Sequence, residues 1–126
     1  MRIYKNRWFD KFARREGITD LALCAAIRRA ENGMIDADLG GGLIKQRVAR
    51  EGAGKSSGFR TLIIYRSGEM CVFTFGFAKN DRANLNRDEL VAFKKAAKIV
   101  VALTEAQIET EVTAGRLMEV QCGDDI

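Results

Sequence analysis

The sequence predicts an α+β domain: an antiparallel sheet packed against an N-terminal helical hairpin and a C-terminal helix. Three observations predict it. Residues 43–79 alternate apolar and polar side chains in three consecutive runs separated by short Gly/Ser-rich links, which is the pattern of a β-meander. Residues 6–33 repeat their apolar residues at helical spacing on either side of Gly17. Asn86-Arg-Asp-Glu89 is an N-cap followed by Glu at N3, the signature of a helix start.

In chain order, Arg2-Ile-Tyr4 reads as a short opening strand, because Ile and Tyr favour the pleated state. Residues 6–16 place Trp8, Phe9, Phe12 and Ala13 on one helical face, and Gly17 stands where a left-handed C-terminal residue is expected. The aromatic trio is expected in the core. Thr19 caps a second helix carrying Leu23, Ile27 and Ala30, closed by Gly33. Residues 34–42, with Asp36, Asp38 and three consecutive glycines, read as a loop with solvated carboxylates.

The first main strand alternates Ile44, Gln46 and Val48 with Lys45, Arg47 and Ala49. In the second, Arg60, Leu62, Ile64 and Arg66 share one face and Phe59, Thr61, Ile63 and Tyr65 the other. In the third, a period of two puts Cys71, Phe73, Phe75 and Phe77 together. The centre of the middle strand is apolar on both faces, so helices are expected over one side and partial cover over the other. The helix from Asn86 runs to about Leu103. Thr104-Glu-Ala-Gln107 opens a short acidic helix to about Ala114, and residues 117–122 suggest a last edge strand.

At 126 residues this is one domain with enough chain for a modest core. No apolar run approaches the roughly 18 residues that span a bilayer, and the first residues lack the apolar core of a signal peptide. Three widely spaced cysteines form no metal or disulfide framework, so a reducing cytoplasm is expected, with Cys24 and Cys71 as small core residues. Histidine is absent, which removes the usual general base and metal ligand. No metal and no cofactor is expected.

The net charge of +4 is unevenly spread. Residues 43–82 hold eight basic and three acidic groups, whereas residues 83–126 hold five basic and eight acidic. Such a centre points first to nucleic acid and second to an acidic protein. Gly52-Ala-Gly-Lys-Ser56 falls short of a phosphate loop: Ala49 stands where the first glycine belongs, and a strand follows rather than a helix.

At Ser57-Gly-Phe-Arg60 and at Gly76-Phe-Ala-Lys-Asn80 the chain resembles the RelE/ParE superfamily of bacterial toxins, in its RelE/HigB-like branch. The resemblance covers nearly the whole chain and implies a compact RelE-like fold. It also implies a ribosome-dependent endoribonuclease, a cytoplasmic toxin that cuts mRNA and is neutralised by a cognate antitoxin, often of helix-turn-helix type. Lys45 and Arg47 match that family's basic pair, Arg60 its segment arginine, and Lys79 its strand-end lysine. Where those toxins carry a further arginine and a tyrosine, this chain has Asn80 and no tyrosine at the matching place, its only tyrosines being Tyr4 and Tyr65, and Arg82 is the nearest substitute.

The chemistry suits these residues. Guanidinium and ammonium groups stabilise a phosphorane without a metal, and a lysine among other cations releases its proton more readily. Arg60 and Arg47 are thus expected to hold the scissile phosphate, with Lys79 or Lys45 as base. Arg50, Lys55, Arg66 and Arg82 are expected to contact RNA, and Phe77 to stack on a base. Two other readings stay open: a ParE-like gyrase poison that cleaves no RNA, and a non-catalytic RNA-binding or antitoxin-binding relative.

Overall fold

A computed structural model describes residues 1–50 and 58–123. Lys55, the Gly52–Ser56 loop and the last three residues lie outside the described residues. The elements run β1 (Arg2–Asn6), α1 (Arg7–Glu16), α2 (Asp20–Glu31), β2 (Ala37–Gly40), β3 (Leu43–Val48), β4 (Phe59–Arg66), β5 (Met70–Ala78), α3 (Arg87–Val100), α4 (Glu105–Thr113) and β6 (Leu117–Glu119). The α+β class and the meander β3-β4-β5 are as predicted.

Local signals set the helix ends. Asn6, Thr19, Asn86 and Thr104 each accept a backbone N–H from the first turn of the following helix, satisfying donors that have no partner within the helix. Asn86 with Glu89, and Thr104 with Gln107, close full capping boxes. Gly17 ends α1 with φ of 71° and returns its N–H to Ala13 and Arg14.

The sheet has strand order β2-β3-β4-β5-β1-β6. It departs from the expectation in three ways. Residues 37–40 are a strand paired with β3, not loop. β1 lies inside the sheet, parallel to β5 and antiparallel to β6. A parallel neighbour requires a crossover, and the long path through both helices and the meander supplies it. The third departure is a bulge. Leu62 faces Phe75 while Ile63 faces Phe73, so Thr74 is the extra residue. One inserted residue reverses the facing of everything beyond it. Phe75 and Phe77 therefore leave the face of Cys71 and Phe73 and join that of Arg60 and Leu62.

The two sheet faces carry two cores. Beneath α1 and α2, Phe9, Phe12, Leu23 and Ile27 pack on Ile44, Val48, Phe59, Ile63 and Phe73. On the opposite face, Ala97 of α3 and Ile108 of α4 cover Tyr4, Leu43, Leu62, Ile64 and Val72. Gly76 permits the close approach of α1: a Cβ there would sit 2.8 Å from a Phe12 ring carbon and 3.3 Å from one of Phe9. Of the expected aromatic core trio, Phe9 and Phe12 are buried, but Trp8 remains 42 % exposed.

An ionic network joins β1 to both hairpin helices. Lys5 Nζ lies 3.2 Å from Asp10 and 3.3 Å from Asp20, and Arg14 reaches Asp10 at 3.1 Å. Asp20 also accepts the backbone N–H of Gln121 at 2.9 Å, which lays the C-terminal segment against α2. There Cys24, a core residue as expected, is bonded to Cys122, which corrects the expectation that the cysteines form no disulfide. Cys71 is free and buried as expected, and burial pushes its thiol pKa up, away from reactivity.

Candidate functional site

The candidate site lies at one end of β3, β4 and β5, on the sheet face that carries α3. Register brings three strands together: Arg47 is directly opposite Arg60, and Arg60 directly opposite Phe77. Lys45 is opposite Leu62, two residues along on the same face as Arg47. Opposed cations on neighbouring strands repel and destabilise the sheet. Buried polar groups are normally hydrogen-bonded, yet one terminal nitrogen of Arg60, Nη1, is buried with no hydrogen-bond partner. An anion placed between these guanidinium groups offsets both costs.

Gly58 brings β4 hard against β3. A Cβ there would sit 2.6 Å from the Val48 carbonyl oxygen. The Gly58 carbonyl accepts the backbone N–H of Lys79 at 3.3 Å, which places the end of β5 beside the start of β4. Lys79 is exposed, and its ammonium has no hydrogen-bond or ion-pair partner among the described residues. Lys45 reaches across to the loop before α3, with Nζ 3.3 Å from Asn84 Oδ1.

Arg82 completes this side. Its guanidinium carbon lies 5.1 Å from the Phe77 ring centroid and 6.0 Å from that of Phe75. Glu89 grips the same guanidinium through both carboxylate oxygens, and Glu89 Oε1 also accepts the Asn86 N–H of the capping box. The hydrogen bond from Arg82 holds the Glu89 carboxyl below the usual carboxylate range, with the Asn86 backbone adding to the effect, and Glu89 raises Arg82 in turn. The start of α3 thus fixes Arg82 over Phe77. Phe77 itself is 6 % exposed.

The structure separates other sequence-predicted residues from this group. Arg66 ends β4, six positions from Arg60 and about 20 Å away along the strand. Its Nη1 donates to the Val101 and Leu103 carbonyls at 2.7 and 3.1 Å, closing the end of α3 in a structural role. Arg50 lies beyond β3 on the hairpin side, 3.8 Å from Glu16 and over the Phe59 ring at 4.7 Å.

Two supporting residues escaped the sequence reading. Asp36, expected as a solvated loop carboxylate, accepts the Arg47 backbone N–H at 2.7 Å and lies 3.5 Å from Arg47 Nε. Gln46 is fully buried. Its Nε2 donates to the Ala26 and Met34 carbonyls, and its Oε1 accepts the Asp36 N–H, at 3.0, 3.0 and 2.9 Å. A polar side chain in the apolar phase of β3 was the only local signal. Gln46→Leu is expected to cost about 2–3 kcal/mol, because it leaves these backbone groups unpartnered. A urea titration measures the loss, and an unchanged midpoint would remove Gln46 as the anchor of Asp36 and Arg47.

Among the described residues no helix is long and apolar enough to cross a membrane. No curated protein matches the chain significantly. The family model described as "RelE toxin of RelE / RelB toxin-antitoxin system" matches residues 1–120. That span takes in every element of the fold and every residue of the basic site. The chain belongs to the RelE family, the toxins of toxin–antitoxin systems.

Proposed function

We propose that the protein is a metal-independent endoribonuclease that cleaves mRNA on the ribosome and is neutralised by a cognate antitoxin. The observation that carries this reading is the opposed Arg47–Arg60 pair with its unpartnered buried nitrogen, a site whose charge calls for a phosphate. Family membership supports the toxin role and the antitoxin partner. A helix-turn-helix antitoxin belongs to the same reading.

In the reaction, the 2′-oxygen attacks phosphorus and its proton passes to a base. The bond from phosphorus to the 5′-oxygen then breaks, and that oxygen takes up a proton. The products are a 2′,3′-cyclic phosphate and a 5′-hydroxyl. Arg60 and Arg47 neutralise the charge gathering on the phosphorane oxygens. Lys79, exposed just beyond β5 and without a competing partner among the described residues, is the better placed proton acceptor. Lys45, engaged with Asn84, adds positive charge. Arg82, held by Glu89 over the Phe77 ring, adds further positive charge.

Tightly induced expression in a bacterial host, with 5′-end mapping of a reporter mRNA, tests the proposal. The expected result is cuts within translated codons that vanish when translation is blocked. Growth arrest with intact mRNA would overturn it in favour of a gyrase-directed toxin. Absence of arrest would leave a non-catalytic relative.

A further inference from the structure

Trp8 is the single tryptophan of the chain and stands 42 % exposed. It occupies the first turn of α1, where the chain has just left β1. β1 pairs with β5 only as far as Phe73, so beyond that point Trp8 takes the place of a neighbouring strand. Its ring centroid is 4.5 Å from that of Phe75 and 5.3 Å from that of Phe12. Phe75 in turn lies 5.0 Å from Phe93 of α3 and 6.3 Å from Phe77. The bulge at Thr74 is what turns Phe75 and Phe77 toward this face. The result is an aromatic strip running from Phe77, opposite Arg60, to an open indole at the edge of the sheet.

A large aromatic left open to solvent, and continuous with a cationic site, has the composition of a single-strand binding surface: charge for the backbone and a π-face for a base. We infer that Trp8, backed by Phe75, stacks on an unpaired nucleobase flanking the phosphate held by Arg60 and Arg47. The inference rests on the RNA reading of that site. Phe77 is buried beneath Arg82, so Trp8 rather than Phe77 presents the open ring. Charge complementarity selects the occupant: Arg60 is opposite Phe77 and Arg82 lies over the Phe77 and Phe75 rings, and an RNA strand supplies both the anion and the base.

The lone indole is its own reporter. The full chain is titrated with a fluorescently labelled single-stranded RNA, 2′-O-methylated so that it cannot be cut. Anisotropy reads binding and Trp8 emission reads stacking. The expected result is quenching that saturates with binding, and no quenching by an abasic oligomer of equal charge. Trp8→Ala should weaken binding about 5- to 100-fold, with Trp8→Phe close to wild type. RNA bound with unchanged Trp8 emission would overturn the stacking site and leave the phosphate site standing. No binding of either oligomer at low salt would overturn both. Because the comparison of the two oligomers uses the unmodified protein, it decides the matter even if Trp8→Ala fails to fold.

Discussion

Arg60→Ala is expected to abolish mRNA cleavage and growth arrest while leaving the protein folded, and slightly more stable. Loss of one preorganised cation at a developing phosphorane costs about 10²- to 10³-fold in rate. Stability moves the other way. Arg60 faces Arg47 across the strand pair and keeps one nitrogen buried without an acceptor. Removing it relieves about 0.5–1 kcal/mol of like-charge repulsion and ends the desolvation of that nitrogen. Reporter cleavage and a urea midpoint, measured on the same preparations, read both effects. Arg60→Lys should be intermediate in activity, since a lysine keeps the charge but not the planar fork that meets two phosphate oxygens at once. Full toxicity from well-expressed Arg60→Ala protein would remove Arg60 from the active site. A large loss of stability would make Arg60 structural, as Arg66 is at the other end of the same strand.

Cys24→Ser is expected to have the largest effect on stability. The Cys24–Cys122 bond joins residues 98 positions apart, so it closes most of the chain into one loop. On the chain-entropy account, such a crosslink destabilises the unfolded state by about 4–5 kcal/mol. The bond also holds the segment that follows β6 against α2, beside the Gln121–Asp20 contact. Urea unfolding of wild type with and without reductant, and of Cys24→Ser without it, measures the effect. The reduced protein and the variant should share one lowered midpoint. Three titratable thiols in unreduced, unfolded protein would show that the bond does not form. In a reducing compartment most thiols stay unpaired, so the protein there would forgo this contribution and rely on its two cores and the Lys5–Asp10–Asp20 network.

The basic site shows how far one-dimensional reading extends. A period of two placed Lys45 and Arg47 together, and Arg60 and Leu62 together, and the register confirms both placements. The same reasoning failed for Phe75 and Phe77, because periodicity holds only until a residue is inserted, and nothing in Phe73-Thr-Phe75 marks Thr74 as a bulge. It also credited Arg66 with a surface role. A charge on a strand shows which face it takes, not which helix ends above it. Asp36 was misjudged and the role of Gln46 passed over for a related reason: their partners lie on α2, on the loop after it and on β3, brought together only by folding.

What the sequence by itself determined here is local. Caps at Asn6, Thr19, Asn86 and Thr104, the left-handed Gly17, the alternation of β3 and β4, and the concentration of cations in residues 43–82 are all written within a few neighbouring residues. Their energetics depend on backbone geometry and periodicity alone. The tertiary structure decided the parallel insertion of β1 between β5 and β6, the turn of Phe75 and Phe77 onto the basic face, the pairing of Cys24 with Cys122 and the exposure of Trp8. Each of these depends on which distant segments share a surface. That choice is made by burying two apolar faces of one sheet at once, and no window of neighbouring residues contains it.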